Sequence, residues 1–141
     1  MADDAPALGW LEARARDALI DARGGPQLLA EQPEVGNWVP AIQEPDRLVW
    51  VAEIDQVVVG YLELVVPLPG GVGIVRQVYV DPEARELGFG DELLSLAIAA
   101  TRRAGGIAIE SFALPGDRQT KNLFERAGVT ARKLIVSKRV D

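Results

Sequence analysis

The range Gln77–Arg103 contains a strand, a turn, a glycine-bearing arm and a long helix in direct succession. The apolar strand ends at Val80, an Asp-Pro turn follows, and Gly88 and Gly90 precede the helix. The first N–H groups of a helix lack intrahelical partners and lie at the positive end of the helix dipole. Glycines let an anion approach these groups, because no Cβ stands in the way. The succession therefore predicts a phosphate-binding site at the start of this helix.

The arm itself, Arg85–Gly90, reads R-E-L-G-F-G. It has neither the G-x-G-x-x-G spacing of a Rossmann dinucleotide site nor the Lys-Ser/Thr of a Walker A loop. It does fit the pattern R-x-x-G-x-G, preceded by V-x-V-D-P. This combination resembles the acetyl-CoA-binding motif of the GNAT superfamily of N-acetyltransferases. The order of predicted elements over residues 48–140 is similar to that family as well.

Composition limits the class of protein. The chain of 141 residues has the size of a single domain, and its apolar fraction of 48% and charged fraction of 26% are those of a soluble globular protein. Because cysteine and histidine are absent, disulfides, thiolate nucleophiles and Ser-His-Asp triads are excluded. The net charge of -6 argues against nucleic-acid binding. With no apolar run of membrane-spanning length and no basic signal-peptide start, we expect a cytoplasmic protein without membrane attachment.

Helices and strands alternate along the predicted chain. A helix with an apolar stripe covers Ala7–Ala22, and the proline-punctuated segment Pro33–Pro45 is predicted to be a loop. Five strands are predicted, at Leu48–Ile54, Val57–Val66, Gly73–Val80, Ile107–Ala113 and Val129–Val140. One further helix follows Gly90, and another is capped by Asp117 and ended by Gly128.

This order predicts an α/β (α+β) fold of three layers, in which a mixed, mostly antiparallel sheet is flanked by helices. GNAT proteins usually begin with a strand before the first helix. Here the helix starts almost at the N-terminus, so we expect that edge strand to be short or missing, and Met1–Pro6 to be a frayed end. We interpret the whole chain, 1–141, as a single N-acetyltransferase-like domain.

The resemblance implies acetyl-CoA as the acetyl donor. We expect no metal, because cysteine and histidine are absent and no dense spacing of Asp and Glu suggests a carboxylate site. In the family, the pantetheine arm lies like an added strand against the segment equivalent to Gln77–Val80, here near the backbone of Val78 and Val80. The N–H groups of the glycine arm hold the pyrophosphate, and Arg85 supplies positive charge. The implied cofactor-binding residues of the arm are Arg85, Glu86, Leu87, Gly88, Phe89, Gly90 and Asp91.

Acetyl transfer to an amine requires a base that takes a proton from the acceptor ammonium. The candidate catalytic residues are Glu63, inside an otherwise apolar strand, and Glu110, on the strand beside the expected cleft. Each also has a simpler interpretation as a strand residue that faces outward.

The family commonly places a tyrosine acid in the motif Y-E-K-x-G-F, and the matching segment here reads F-E-R-A-G-V. Phe124 therefore stands where a tyrosine would protonate the departing CoA thiolate, and a phenyl ring has no proton to give. Thiols are acidic enough for water to protonate the leaving group, so this substitution is compatible with activity.

Three functions are compatible with the sequence. The leading one is an N-acetyltransferase that moves acetyl from acetyl-CoA, by direct attack, to an amine of a small molecule, a protein lysine or a protein N-terminus. The alternatives are a non-catalytic acyl-CoA-binding module and an interaction domain in which the glycine arm is a structural turn. The acceptor and the oligomeric state have no signature in the sequence.

Overall fold

The computed structural model describes residues 2–140, which form four strands and five α-helices in the described part of the chain. The helices are α1 (Ala5–Asp17), α2 (Gly25–Glu31), α3 (Trp38–Ala41), α4 (Phe89–Arg103) and α5 (Arg118–Arg126). The strands are β1 (Arg47–Ile54), β2 (Val57–Val65), β3 (Val72–Val80) and β4 (Ala108–Glu110). Short 3-10 turns occupy Ala2–Asp4 and Pro82–Ala84. No described helix combines the length and apolar character needed to cross a membrane.

The four strands form one mixed sheet in the order β1-β2-β3-β4. β1, β2 and β3 are antiparallel neighbours, and β4 runs parallel to β3. The turn between β1 and β2 has positive φ angles of 50° at Asp55 and 68° at Gln56, which match the twist of a two-residue hairpin. The predicted strands over residues 48–54 and 57–66 form this hairpin, and the predicted fold class of a mixed sheet flanked by helices is confirmed.

Alternate residues of β2 pack into two separate cores. Leu62 and Leu64 face α4 and belong to one apolar cluster, whereas the side chain of Tyr61 belongs to a second cluster with α1 and α3. Successive strand residues point to opposite faces, so α1 and α4 cover opposite sides of the sheet. The three-layer arrangement follows from this alternation.

The N-terminal part differs in detail from the sequence prediction. The expected frayed end is wrong for residues 2–6, because Ala2–Asp4 form a 3-10 turn and α1 begins at Ala5. Met1 lies outside the described residues. No strand precedes α1 in the described chain, as predicted. The predicted loop Pro33–Pro45 contains the short helix α3, whose first turn is capped by the side chain of Asn37.

The predicted strand Val129–Val140 is wrong, because the structure has no strand in this segment. Leu134 and Val136 are 82% and 91% exposed. A strand requires a hydrogen-bonding neighbour, and none of the described strands of this chain pairs with the segment. Arg132 forms an ion pair with Glu110 at 3.2 Å, which places the start of the segment near β4. β4 is itself shorter than predicted, with three residues in place of Ile107–Ala113.

Candidate active site

The sheet opens between β3 and β4. These strands pair only from Val72 to Ile74 on β3, and just beyond them the hydroxyl of Ser111 donates to the carbonyl of Val75 at 2.8 Å. The rest of β3 pairs with β2 on one side and has no described strand on the other. The last residues of β3 therefore line an open cleft, including Val78 and Val80.

β3 contains a bulge at the mouth of this cleft. Glu63 of β2 pairs with Gln77, and Leu64 pairs with Val75, so Arg76 is an extra residue with no partner in this register. Bulges redirect side chains and occur next to active sites. Because the bulge adds Arg76 to β3, Val75 and Val78 both pack into the apolar cluster that contains Leu62 and Leu64. Gln77 remains paired with Glu63 on β2.

The first turn of α4 forms one end of the cleft. Gly88 precedes the helix with φ of +85°, a conformation that favours glycine, and no side chain caps this helix end. A Cβ at Gly88 would meet nothing within 4 Å, whereas a Cβ at Gly90 would lie 3.3 Å from the side chain of Leu123. Gly88 is therefore suited to its backbone conformation, whereas Gly90 allows close packing against Leu123. The uncapped N–H groups are available to an anion.

Arg85 binds protein groups on both sides of the arm. Its Nε donates to the carbonyl oxygen of Val80 at 2.9 Å, and its Nη1 donates to Oε1 of Gln119 on α5 at 2.7 Å. The guanidinium carbon lies 5.6 Å from the centre of the Tyr79 ring. Arg85 thus ties the arm to β3 and α5 while its charge remains at the cleft wall.

Glu63 is a buried carboxylate in the same cleft. Glu63 is only 2% exposed. Its Oε1 accepts a hydrogen bond from Gln77 Nε2 at 3.0 Å, and its Oε2 lies 3.1 Å from Nη1 of Arg47. Burial raises the pKa of the Glu63 carboxyl above its usual value, against the opposing effects of the Gln77 hydrogen bond and the charge of Arg47. A carboxyl group with a raised pKa is a stronger base when it is ionised.

A second buried carboxylate, Glu12 of α1, belongs to the same polar network. It accepts hydrogen bonds from the backbone N–H groups of Val35 and Gly36 and from Nε1 of Trp38. Gln77 Nε2 donates to it as well, at 2.9 Å. Sequence reasoning missed Glu12, although it lies four residues after Leu8 within the apolar stripe of α1. A charge on an apolar stripe is the signal that could have found it.

Tyr61 completes the network from β2. Its hydroxyl donates to Oε1 of Gln77 at 2.6 Å, and its ring packs edge-on against Trp38 with centroids 5.6 Å apart. Burial raises the pKa of Tyr61, and the nearby charges of Glu12 and Glu63 raise it further. Tyr61 is therefore a neutral hydrogen-bond donor that fixes the orientation of the Gln77 amide.

The arm and the polar network share one cleft of about 1470 Å³. Its walls include the predicted residues Glu63, Val78, Val80, Arg85, Glu86, Gly88, Phe89, Gly90 and Asp91. Leu87 is not among the lining residues and is 62% exposed. Glu110 also lies off the cleft wall and pairs with Arg132. Phe124 of α5 is buried in the same apolar cluster as Leu123, and only Leu123 lines the cleft.

Comparisons with known proteins agree with this architecture. A sequence model of the acetyltransferase (GNAT) family matches residues 12–129. Curated protein sequences give no match. A tetramutant of the BH1408 protein from Bacillus halodurans has a similar structure, with a TM-score of 0.79, 15% identity and coverage of 99% of this chain and 96% of that one.

Two solved structures of acetyltransferases are also similar in fold. Aminoglycoside N-acetyltransferase AAC(6')-Iy in complex with CoA has a TM-score of 0.60 and 19% identity, covering 84% of this chain and 90% of that one. Ribosomal-protein-alanine N-acetyltransferase from Brucella melitensis has a TM-score of 0.57 and 20% identity, with 87% and 93% coverage. These likenesses show the same fold, and the match over residues 12–129 shows that the chain belongs to the acetyltransferase (GNAT) family.

Proposed function

We propose that this protein transfers the acetyl group of acetyl-CoA to a primary amine and that Glu63 is its general base. The observation that carries the proposal is that one cleft joins the uncapped start of α4 to a buried carboxylate whose pKa is raised. Family membership and the CoA complex of AAC(6')-Iy support acetyl-CoA as the donor.

Donor binding is assigned to the arm and the open edge of β3. The pyrophosphate would accept hydrogen bonds from the N–H groups of residues 86–91, near the positive end of α4. The pantetheine chain would lie along Val78 and Val80, where β3 has no neighbouring strand among the described residues. Hydrogen bonds to a charged group contribute about 1.5–3 kcal/mol each, so several of them support micromolar binding.

The reaction is a direct attack of the acceptor nitrogen on the thioester carbonyl. A carbon–nitrogen bond forms, the carbon–sulfur bond breaks, and the sulfur leaves as a thiolate. Glu63 accepts the proton that the ammonium must lose before it can attack, and the second proton of the nitrogen passes to water as the amide forms. Water protonates the thiolate, since Phe124 carries no acid. Arg47 and Gln77 hold the Glu63 carboxylate in place during proton transfer.

The acceptor is an amine of a small molecule or of a protein lysine or N-terminus. The aminoglycoside named for AAC(6')-Iy supports the small molecule. On the acceptor side, the cleft wall includes residues of α1, α2 and the segment around Asn37. Its carboxylate Glu63 and the negative net charge of the chain favour a cationic acceptor.

A CoA-release assay with acetyl-CoA and a panel of amines tests the proposal. Glu63→Gln should lower kcat by about 10²–10⁴-fold, the range that a positioned base contributes. The wild-type rate should fall as the pH decreases through the raised pKa of Glu63, and the variant should lack this dependence. The matched variant Glu110→Gln should keep its activity. A Glu63→Gln protein with full activity and an unchanged pH profile would contradict the assignment.

A non-catalytic acyl-CoA-binding module is the second candidate, and the ion pair between Arg47 and Glu63 at 3.1 Å favours it. If the protein has this role, calorimetry should detect acetyl-CoA binding although no amine in the panel releases CoA. Failure to bind acetyl-CoA at all would instead favour a purely interacting domain.

A further inference from the structure

Arg76, the bulge residue of β3, carries a positive charge at the wall of the cleft. The residue lines the cleft and is half-buried. Its guanidinium forms no hydrogen bond or ion pair with another residue in the described part of the chain. A guanidinium has five N–H donors in a planar fork, and partly buried donors are stabilised when they find an acceptor. Arg76 is therefore suited to bind an anion that enters the cleft.

The other arginines of the cleft wall differ from Arg76. Four of them bond to groups of the protein, namely Arg16, Arg47, Arg85 and Arg126. Arg23 also lines the cleft, but the residue is exposed, so water hydrates its charge. Among the arginines of the described cleft wall, Arg76 combines partial burial with donors that the protein does not use.

This charge lies beside the proposed base. Gln77, the next residue of β3, pairs with Glu63 across the two strands, so the Cα atoms of Arg76 and Glu63 lie within about 9 Å of each other. Burial raises the pKa of the Glu63 carboxyl, and the charge of Arg76 is among the effects that lower it. A cation and a carboxylate therefore lie close together at one part of the cleft.

The phosphates of the donor are not the expected partner of Arg76. Val80 is four residues further along β3, which corresponds to about 13 Å of strand, and the glycine arm begins beyond it at Arg85. The pantetheine chain, which we assign to the intervening edge of β3, carries no charge. An anion at Arg76 therefore belongs to the second substrate, the acceptor.

We propose that the acceptor is a free α-amino acid, whose carboxylate binds Arg76 while its amine lies at Glu63. This inference rests on the acetyltransferase function proposed above. Guanidinium and carboxylate groups match as a planar pair with two parallel hydrogen bonds. An amino acid carries its amine and its carboxylate on one carbon, so a single small molecule meets both charges. A protein lysine or N-terminus has no carboxylate at this position, so Arg76 distinguishes between the classes of acceptor.

A CoA-release assay with the common α-amino acids, each compared with its carboxamide, tests the assignment. The carboxamide retains the amine but has no negative charge. We expect kcat/KM for the best amino acid to exceed that for its carboxamide by roughly 10- to 100-fold, and Arg76→Gln to bring this ratio close to one. Arg76→Lys retains a charge and should keep part of the preference. Arg23→Gln, the matched control at the exposed arginine of the cleft wall, should keep all of it.

Calorimetry measures binding of the same amino acids to the protein saturated with CoA, without any chemistry. We expect the best amino acid to bind Arg76→Gln at least roughly tenfold more weakly than the wild type. If binding depends on Arg76 but no amine releases CoA, the proposed function fails and the carboxylate site remains supported.

Three results would overturn the assignment while acetyl transfer still stands. The first is equal rates for amino acids and carboxamides in the wild type. The second is a preference that survives in Arg76→Gln or disappears in Arg23→Gln. The third is acetylation of other amines by a protein that neither binds nor acetylates any amino acid.

Discussion

Glu12 and Glu63 accept hydrogen bonds from the same nitrogen, Nε2 of Gln77, at 2.9 Å and 3.0 Å. The two carboxylates are 1% and 2% exposed, and they come from α1 and β2. One amide therefore joins the helix layer to the sheet at the cleft. The Tyr61 hydroxyl fixes the orientation of this amide by donating to its oxygen.

Gln77→Leu should lower the free energy of unfolding by several kcal/mol. The variant removes the Gln77 partner of two buried groups, Oε1 of Glu63 and the hydroxyl of Tyr61. Each unsatisfied buried group costs about 1–3 kcal/mol. Urea denaturation measures the loss. Gln43→Leu makes the same change at an exposed residue and should leave stability within about 0.5 kcal/mol of the wild type. Equal stability of the two variants would show that the bridge between Glu12 and Glu63 contributes nothing.

Gly88→Ala should weaken acetyl-CoA binding in a way that Gly128→Ala does not. Both glycines have φ above +80°, and at both positions a Cβ would enter open space, so each alanine should cost about 1–2 kcal/mol of stability. Only Gly88 lies in the cleft at the start of α4. Calorimetric titration with acetyl-CoA separates the two effects. Equal affinities in the two variants, with both folded, would contradict the assignment of the arm.

The stability of Glu63→Gln relative to the wild type should improve as the pH rises. In the wild type the folded-state pKa of Glu63 is raised above its ordinary value of 4.5, so folding favours the protonated form. That stabilisation is present below about pH 4.5 and is lost as the pH rises through the folded pKa. Glutamine does not titrate, so the Glu63→Gln variant does not lose stability in this way as the pH rises.

Denaturation at several pH values above and below the ordinary pKa of a glutamate checks this sign. The neutral core variant Leu64→Val is the control, because its stability difference from the wild type should not change with pH. A constant difference for Glu63→Gln as well would show that burial does not raise the pKa of Glu63.

Phe124→Leu should retain acetyl transfer, with a stability loss of less than about 1.5 kcal/mol, since it exchanges one buried apolar side chain for another. Phe124→Tyr should lose about 1–3 kcal/mol, because the structure places Phe124 in the apolar core and a hydroxyl there would have no partner. Denaturation and the CoA-release assay test both variants. A Tyr variant of wild-type stability and higher rate would show that position 124 faces the reacting sulfur.

Local features were the most predictable from the sequence. The turn at Asp55-Gln56, the cap at Asp117 and a helix at the glycine arm are all in the structure, with the Asp117 carboxylate accepting from the N–H of Thr120 at 3.0 Å. The helix α4 begins at Phe89, so Gly90 lies in its first turn and does not precede it as predicted. Each depends on residues within one turn of the chain, so the chain itself supplies the interacting groups. Glu63 could be singled out because a charge within an apolar strand is unusual.

The partners of Glu63 could not be found in this way. Gln77 and Arg47 lie at least 14 residues from it along the chain, and Glu12 joins the network only through Gln77. No periodicity indicates which side chains will meet across two layers. Glu110 had the same sequence signal as Glu63, yet the structure places it off the cleft wall. Glu63 differs from Glu110 in being buried on one face of the sheet, and residue type does not distinguish them.

The sequence by itself determined the order of α1, the four strands, α4 and α5, the glycine arm at the start of α4 and the family to which the chain belongs. These depend on local backbone preferences and on spacing, which are properties of neighbouring residues. The tertiary structure decided the rest. It gathered Glu12, Gln77 and Glu63 into one buried network, and it left residues 130–140 without a strand partner among the described strands. Strand pairing and desolvation both require groups from distant parts of the chain, so only the folded arrangement defines them.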